Sequence, residues 1–239
     1  TPVPTATAPA AELWQSLGPG IERRVYTPSS GFFTRITAIR LEPSLFDLRV
    51  HYQPGAPQFI DGWDTTLGDA AVIINTNFFD RQDRVTGTLF TDGQQFGDPY
   101  RRRGGIFYVD GDTIGIESNL VRSYNGEQYD QAAQAFPMLV TDGAQSYFDT
   151  RSDRATRRTV IAVDVTGRVV VLVTSFGGIT LLDMASFLAS SDMQLVDALN
   201  LDGGGSSMMH VDVGNTDFSV NSFDPVPAVL AAYPRYVSE

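Results

Sequence analysis

Residues 200–207 read NLDGGGSS, which sets a carboxylate, Asp202, against three glycines and two hydroxyls. Each glycine loses more backbone freedom on folding than any other residue type. A tight turn needs one or two of them, so the third implies that main chain is brought close to a ligand. The amides of Gly203, Gly204 and Gly205 and the hydroxyls of Ser206 and Ser207 form a set able to hold an anion beside one carboxylate. Other glycine signatures do not fit. A dinucleotide fingerprint requires glycine where Met208 stands, and the phosphate loop requires Gly-Lys in a chain that has no lysine. An esterase oxyanion loop is coupled to a Gly-x-Ser-x-Gly elbow, which the sequence lacks.

Composition narrows the chemistry further. There is no cysteine, and histidine is limited to His51 and His210, so thiol nucleophiles, disulfides and multi-histidine zinc sites are not expected. All 17 basic residues are arginine, which removes Schiff-base chemistry. Hydrolysis, if present, rests on carboxylates, hydroxyls and arginines, with no metal and no cofactor expected. Asp212, Asn215 and Asp217 resemble a calcium loop only weakly, without the full ligand series. A net charge of −11 argues against nucleic acid or an anionic membrane surface as partner. The one dense basic cluster, YRRRGG at residues 100–105, reads as a solvated loop. No apolar run is long enough to span a bilayer.

These groups must be positioned by the elements around them. The opening TPVPTATAPA has linker composition, so residues 1–11 are expected to precede a single domain over 12–239. It reads as the start of a processed chain, which fits a secreted or periplasmic protein. AAELWQSLGPG predicts a short helix to about Leu17, ended by Gly-Pro-Gly. RITAIRLEP and FDLRVHYQP alternate apolar and polar residues as half-buried strands do. Residues 71–75 are continuously apolar up to Asn75 and predict a central strand. Asp-Gly occurs at Asp61, Asp92, Asp110, Asp142 and Asp202, and the first four read as turns, three of them hairpins. RRTVIAVDVTGRVVVLVTS predicts another hairpin around Thr166 and Gly167. TLLDMASFLASS carries a capping-box spacing, Thr180 to Asp183, ahead of helical periodicity. DALNL then delivers Asn200 and Asp202 to a strand end. The fold class is α+β: a single mixed domain rich in antiparallel β-sheet with a few packed helices.

ALNLDGGGSSMM resembles the signature of the phosphodiester glycosidases. INTNFFD at 74–80, FPMLVTDG at 136–143 and the hairpin RRTVIAVDVTGRVVVLVTS followed by GGITLLDMASFL resemble further blocks of that family, in order, over roughly residues 71–209. Thr76 and Asn77 stand where the family commonly has two glycines, Ala162 where glycine is usual, and the proline-rich NSFDPVPAVLAAY where an arginine-containing segment is expected.

The resemblance implies a hydrolase that separates a sugar's anomeric carbon from a phosphodiester, acting on a sugar phosphodiester or phosphate-containing glycan such as an envelope or extracellular polysaccharide. It implies Arg158 as the phosphate clamp, since a guanidinium grips phosphate in a fork at any relevant pH. Asp202 is implied as general base, nucleophile or sugar-hydroxyl ligand. Gly203, Gly204, Gly205, Ser206 and Ser207 would bind phosphate or sugar oxygens, and Asn75 and Asn77 sugar hydroxyls. Phe78 and Phe79 read as core, and His210 as an ordinary strand residue. Two other functions share these residues: a carbohydrate-binding module without turnover, and a phosphodiesterase cutting phosphorus–oxygen.

Overall fold

The computed structural model describes residues 13–30, 33–150 and 154–235. It is built from three antiparallel sheets. The largest runs edge to edge β1 (Gln15–Gly18), β2 (Ile21–Tyr26), β3 (Arg35–Leu41), β14 (Val169–Phe176), β13 (Thr159–Asp164), β15 (Leu195–Asn200), β11 (Met138–Thr141) and β12 (Ala144–Gln145). A five-stranded sheet runs β7 (Gln94–Phe96), β6 (Leu89–Thr91), β10 (Gln131–Ala135), β8 (Gly105–Asp110) and β9 (Thr113–Ser118). A second runs β17 (Thr216–Val220), β16 (Met209–Val213), β5 (Val72–Asn75), β18 (Ala228–Pro234) and β4 (Phe46–Tyr52). Among the described residues two α-helices, α1 (Ile60–Leu67) and α2 (Leu181–Ser190), cover outer faces.

Strand alternation decides which face each residue buries. Ile39, Leu41, Ile161 and Val171 of the large sheet face the core shared with Val72 and Ile74 of β5 and with Leu89 and Phe107 of the other sheet. Their neighbours Ala38, Val160, Ala162, Val170 and Leu172 face the opposite way, onto Met184, Ala185 and Leu188 of α2. Ile73 of β5 likewise turns to Trp63 of α1, whose indole donates to the Val226 carbonyl at 3.0 Å. β5 is therefore covered on both faces, which is why its sequence is continuously apolar.

Most of the expected elements form where their residues place them. Asp92-Gly93 and Asp142-Gly143 take positive φ in hairpin turns. The Asp110 hairpin forms too, with Gly111 and Asp112 as its loop because Asp110 pairs with Thr113. β13 and β14 pair across the turn at Gly167, and the Asp183 amide donates to Thr180 Oγ1 at the start of α2. Asp212 and Asp217 face each other in the plain β16–β17 hairpin.

Two expectations are corrected. The described part of the predicted N-terminal helix is strand β1, because Pro19-Gly20, with Gly20 at φ +68°, turns the chain back to pair Gln15 with Arg23. The rest of that helix and residues 1–11 lie outside the described residues. Asp61-Gly62 is not a turn but the first turn of α1, where Asp61 meets the positive end of the helix dipole.

Candidate active site

The NLDGGGSS segment leaves the end of β15 and is fastened on both sides by main chain. The Leu201 amide donates to the Thr159 carbonyl of β13 at 2.9 Å, and the Asp202 amide donates to the Thr76 carbonyl just beyond β5 at 2.9 Å. The Gly204 amide donates to the Arg157 carbonyl at 2.8 Å. Asp202 is thus held at the junction of two sheets.

Asn75 locks that junction. Its Nδ2 donates to the Asp202 carbonyl at 2.6 Å, while Oδ1 accepts from Thr159 Oγ1 at 2.8 Å and from the Met208 amide at 3.0 Å. The side chain is fully buried and its amide is spent on protein partners. Asn77 is equally internal, its Nδ2 donating to the carbonyls of Thr88 and Gln134. The structure therefore places both asparagines beneath the cleft rather than on its surface. Asn75→Ala is expected to destabilise the fold by about 3 kcal/mol or more, since it leaves three buried polar groups without a partner. Urea denaturation checks this, and a loss below about 1 kcal/mol would contradict it.

The glycines answer to geometry at each position. A Cβ on Gly203 would sit 2.9 Å from the Arg157 carbonyl oxygen, and one on Gly205 would overlap the Asp224 carboxylate. Gly204 takes φ +64°. The Gly203 amide donates to Asp202 Oδ1 at 2.8 Å, so this amide and that of Gly204 serve the loop itself. Ser206 and Ser207 are buried, with Ser206 hydrogen-bonded to the Asp202 carboxylate.

What the segment offers to solvent is Asp202 at the wall of a cleft of 630 Å³. Arg158 lines the same cleft, as do Arg102 and Arg103, Gly203, Gly204 and Asn200. Arg158 is only 9% exposed, and carbonyls hold its guanidinium: Nε donates to Ile179 at 3.1 Å and Nη2 to Arg154 at 2.8 Å. Arg103 lies over the Phe136 ring, 3.2 Å from its centroid, and Phe136 stacks on Phe78 at 4.5 Å. The sequence reading missed Arg102 and Arg103. They are exposed, as a solvated loop would be, but they face the site. Phe78 is half-buried, packed against the main core as expected and also lining the cleft wall, while Phe79 packs against the cluster of Trp63 and Ile73. His210 lies in β16, where Nε2 contacts Asp64 at 3.1 Å and Nδ1 contacts Ser219 at 2.9 Å, and it does not line the cleft.

The electrostatics single out Asp202. Burial pushes its carboxyl up from the usual range to about 6, and the charge of Asp224 pushes the same way. The Ser206 hydroxyl and the Gly203 amide offset part of this by hydrogen bonding the carboxylate. Asp224, a second acid that the sequence reading did not single out, is exposed and anchored by its own amide to the Gly205 carbonyl at 3.1 Å. A carboxyl raised to about 6, in a cleft also lined by Arg102, Arg103, Arg158 and Phe136, can exchange protons beside a bound anion.

Comparison with known proteins bears on the same region. No curated protein matches the sequence. The fold is similar to the catalytic domain of zebrafish N-acetylglucosamine-1-phosphodiester alpha-N-acetylglucosaminidase, auto-inhibited by its pro-peptide, with TM-score 0.70 and 17% identity over 92% of this chain and 86% of that one. It is also similar to a hypothetical protein from Synechocystis, with TM-score 0.63 and 15% identity over 90% of this chain and 62% of that one. A family model described as phosphodiester glycosidase matches residues 68–233, which takes in β5, the arginine loop, β13, α2 and the glycine segment. The chain belongs to the phosphodiester glycosidase family.

Proposed function

We propose that the protein hydrolyses a sugar-1-phosphodiester, breaking the bond between the anomeric carbon and the phosphate oxygen, in an envelope or extracellular glycan. The observation that carries this reading is that Asp202 and Arg158 line one cleft, together with Arg103 on the aromatic pair Phe136 and Phe78. The two halves suit the two halves of the substrate. Guanidiniums take the phosphate charge in a fork, and the packed rings of Phe136 and Phe78 give the sugar an apolar wall to lie beside.

The leaving group explains why one carboxyl suffices for proton transfer. A phosphate monoester has a second pKa of about 6, far below that of an alcohol, so it departs without a strong general acid. Water adds its oxygen to the anomeric carbon, the electron pair of the broken carbon–oxygen bond stays on phosphate, and Asp202 takes the proton of the attacking water. As a carboxylate it also stabilises the positive charge developing at the anomeric centre.

This role requires the ionised form, and Asp202 ionises at about 6. With a synthetic methyl diester of N-acetylglucosamine-1-phosphate as substrate, kcat/KM is expected to rise tenfold per pH unit below about 6 and to level off above it. The products are expected to be reducing sugar and methyl phosphate. A profile flat from pH 4 to 8, or no turnover of any sugar-1-phosphodiester, would overturn the proposal. No helix among the described residues is long and apolar enough to cross a membrane.

A further inference from the structure

A second groove, of 910 Å³, opens on the far side of the glycine loop, and Thr156 and Gly204 line both it and the cleft of Asp202. Three of its lining residues are Arg23, Arg35 and Arg157. Several arginines elsewhere are matched by acids: Arg24 with Asp192, Arg40 with Glu22, Arg84 with Asp80, and Arg168 with Asp164. Among the described residues, none of the three groove arginines pairs with a carboxylate.

The positive charge here is fixed in place but uncompensated. Arg157 donates to the carbonyls of Asn221 at 2.8 Å and Ser207 at 2.7 Å and lies over Phe223 at 4.9 Å. Carbonyls and a ring orient a guanidinium without neutralising it. Arg23 is stacked on Phe218 at 4.5 Å, and its Nε is buried with no hydrogen-bond partner. Arg35 is exposed at the start of β3. The rim carries Phe223, 75% exposed, and Phe176, 62% exposed, which are large apolar faces left open to solvent. A groove lined by one sign of charge concentrates ions of the opposite sign, so this one attracts anions in spite of the chain's net charge of −11.

We propose that this groove receives a second anionic group of the same glycan, a phosphate or a uronate carboxylate further along the chain than the bond cleaved. The substrate is then an anionic glycan polymer that crosses the loop at Gly204 and Thr156, not a lone sugar phosphodiester. This rests on the hydrolytic reading of the Asp202 cleft, but the groove itself is testable without turnover.

Calorimetric titration of the whole chain with inorganic tripolyphosphate, and separately with trigalacturonate, is expected to show binding of at least one, and which one binds identifies the anion. Arg35→Gln is expected to weaken that binding tenfold or more, whereas Asp202→Asn leaves it intact. Arg35→Gln should also lower kcat/KM for an oligomeric phosphodiester glycan tenfold or more while leaving the methyl diester rate unchanged. Binding of neither probe, or equal binding by wild type and Arg35→Gln, would overturn the inference. Arg35-dependent binding without hydrolysis of any diester would uphold the groove and remove the hydrolytic reading alone.

Discussion

Asp202→Asn is expected to lower kcat/KM by 100-fold or more and, above pH 7, to make the protein more stable. The two effects share one cause. Asparagine keeps the shape of the side chain and its acceptor for the Gly203 amide, and it tolerates loop conformations as well as aspartate does. It removes only the negative charge, which the reaction requires and which burial and Asp224 oppose.

The sign of the pH dependence follows from linkage. The folded-state pKa of about 6 lies above the ordinary aspartate value of 3.8, so between these values the folded protein holds a proton that the unfolded chain has lost. The contribution of Asp202 to stability therefore falls as pH rises from about 4 to about 6, by about 1 to 3 kcal/mol. The variant lacks this slope. The stability gap between the two should be absent near pH 3.5 and fully open by pH 7. Thermal melts at the two pH values, read beside the turnover assay, test both halves. A variant that melts like wild type at each pH and keeps its rate would leave Asp202 a loop residue.

The second large effect is that of Arg158→Lys. The arginine is buried, and its plane is fixed by the Ile179 and Arg154 carbonyls, so the guanidinium is oriented before substrate arrives. Lysine retains the charge but has one donor centre in place of a planar fork, and it cannot satisfy both carbonyls and a phosphate. The expected loss is about 100- to 1000-fold in kcat/KM, or about 3 to 4 kcal/mol of transition-state binding. Inhibition by the phosphate monoester product should weaken in parallel, because the same fork holds it. A variant with unchanged kinetics and unchanged product inhibition would return Arg158 to a purely structural role.

Local rules carried the sequence reading a long way. Asp-Gly turns, the Thr180–Asp183 cap and the apolar run into Asn75 each act within a few residues, and each forms as its chemistry dictates. The failures lie where distant chain decides. QAAQA, residues 131–135, received no assignment from its sequence and is strand β10, where Gln131 Oε1 accepts from the Val50 amide and Gln134 Oε1 from the amides of Thr88 and Tyr100. α1 was hidden by Gly62 and its paired threonines, all of which are poor helix formers.

The site divides along the same line. Asp202, Arg158, Gly203 and Gly204 are brought to one cleft; local pattern marked Asp202 and the glycines, and the family resemblance marked Arg158. Asn75 was legible as a polar residue at a buried strand end, but its partners lie 84 to 133 residues away, so its role as a fastener emerges only on folding. Asp224 comes from the proline-rich tail, and nothing in its local sequence announces that it sits over Gly205. Arg102 and Arg103 had a legible signal, a run of arginines in an otherwise acidic chain, whose reading as solvated loop overlooked that a loop can be exposed and still face a substrate.

The most direct test of the account is hydrolysis of a sugar-1-phosphodiester in oxygen-18 water. Attack at the anomeric carbon requires the heavy oxygen to appear in the released sugar, with the phosphate monoester unlabelled. Label in the phosphate would mean that phosphorus–oxygen is the bond cut and would contradict the account, and binding without any labelled product would reduce the cleft of Asp202 and Arg158 to a carbohydrate-binding site.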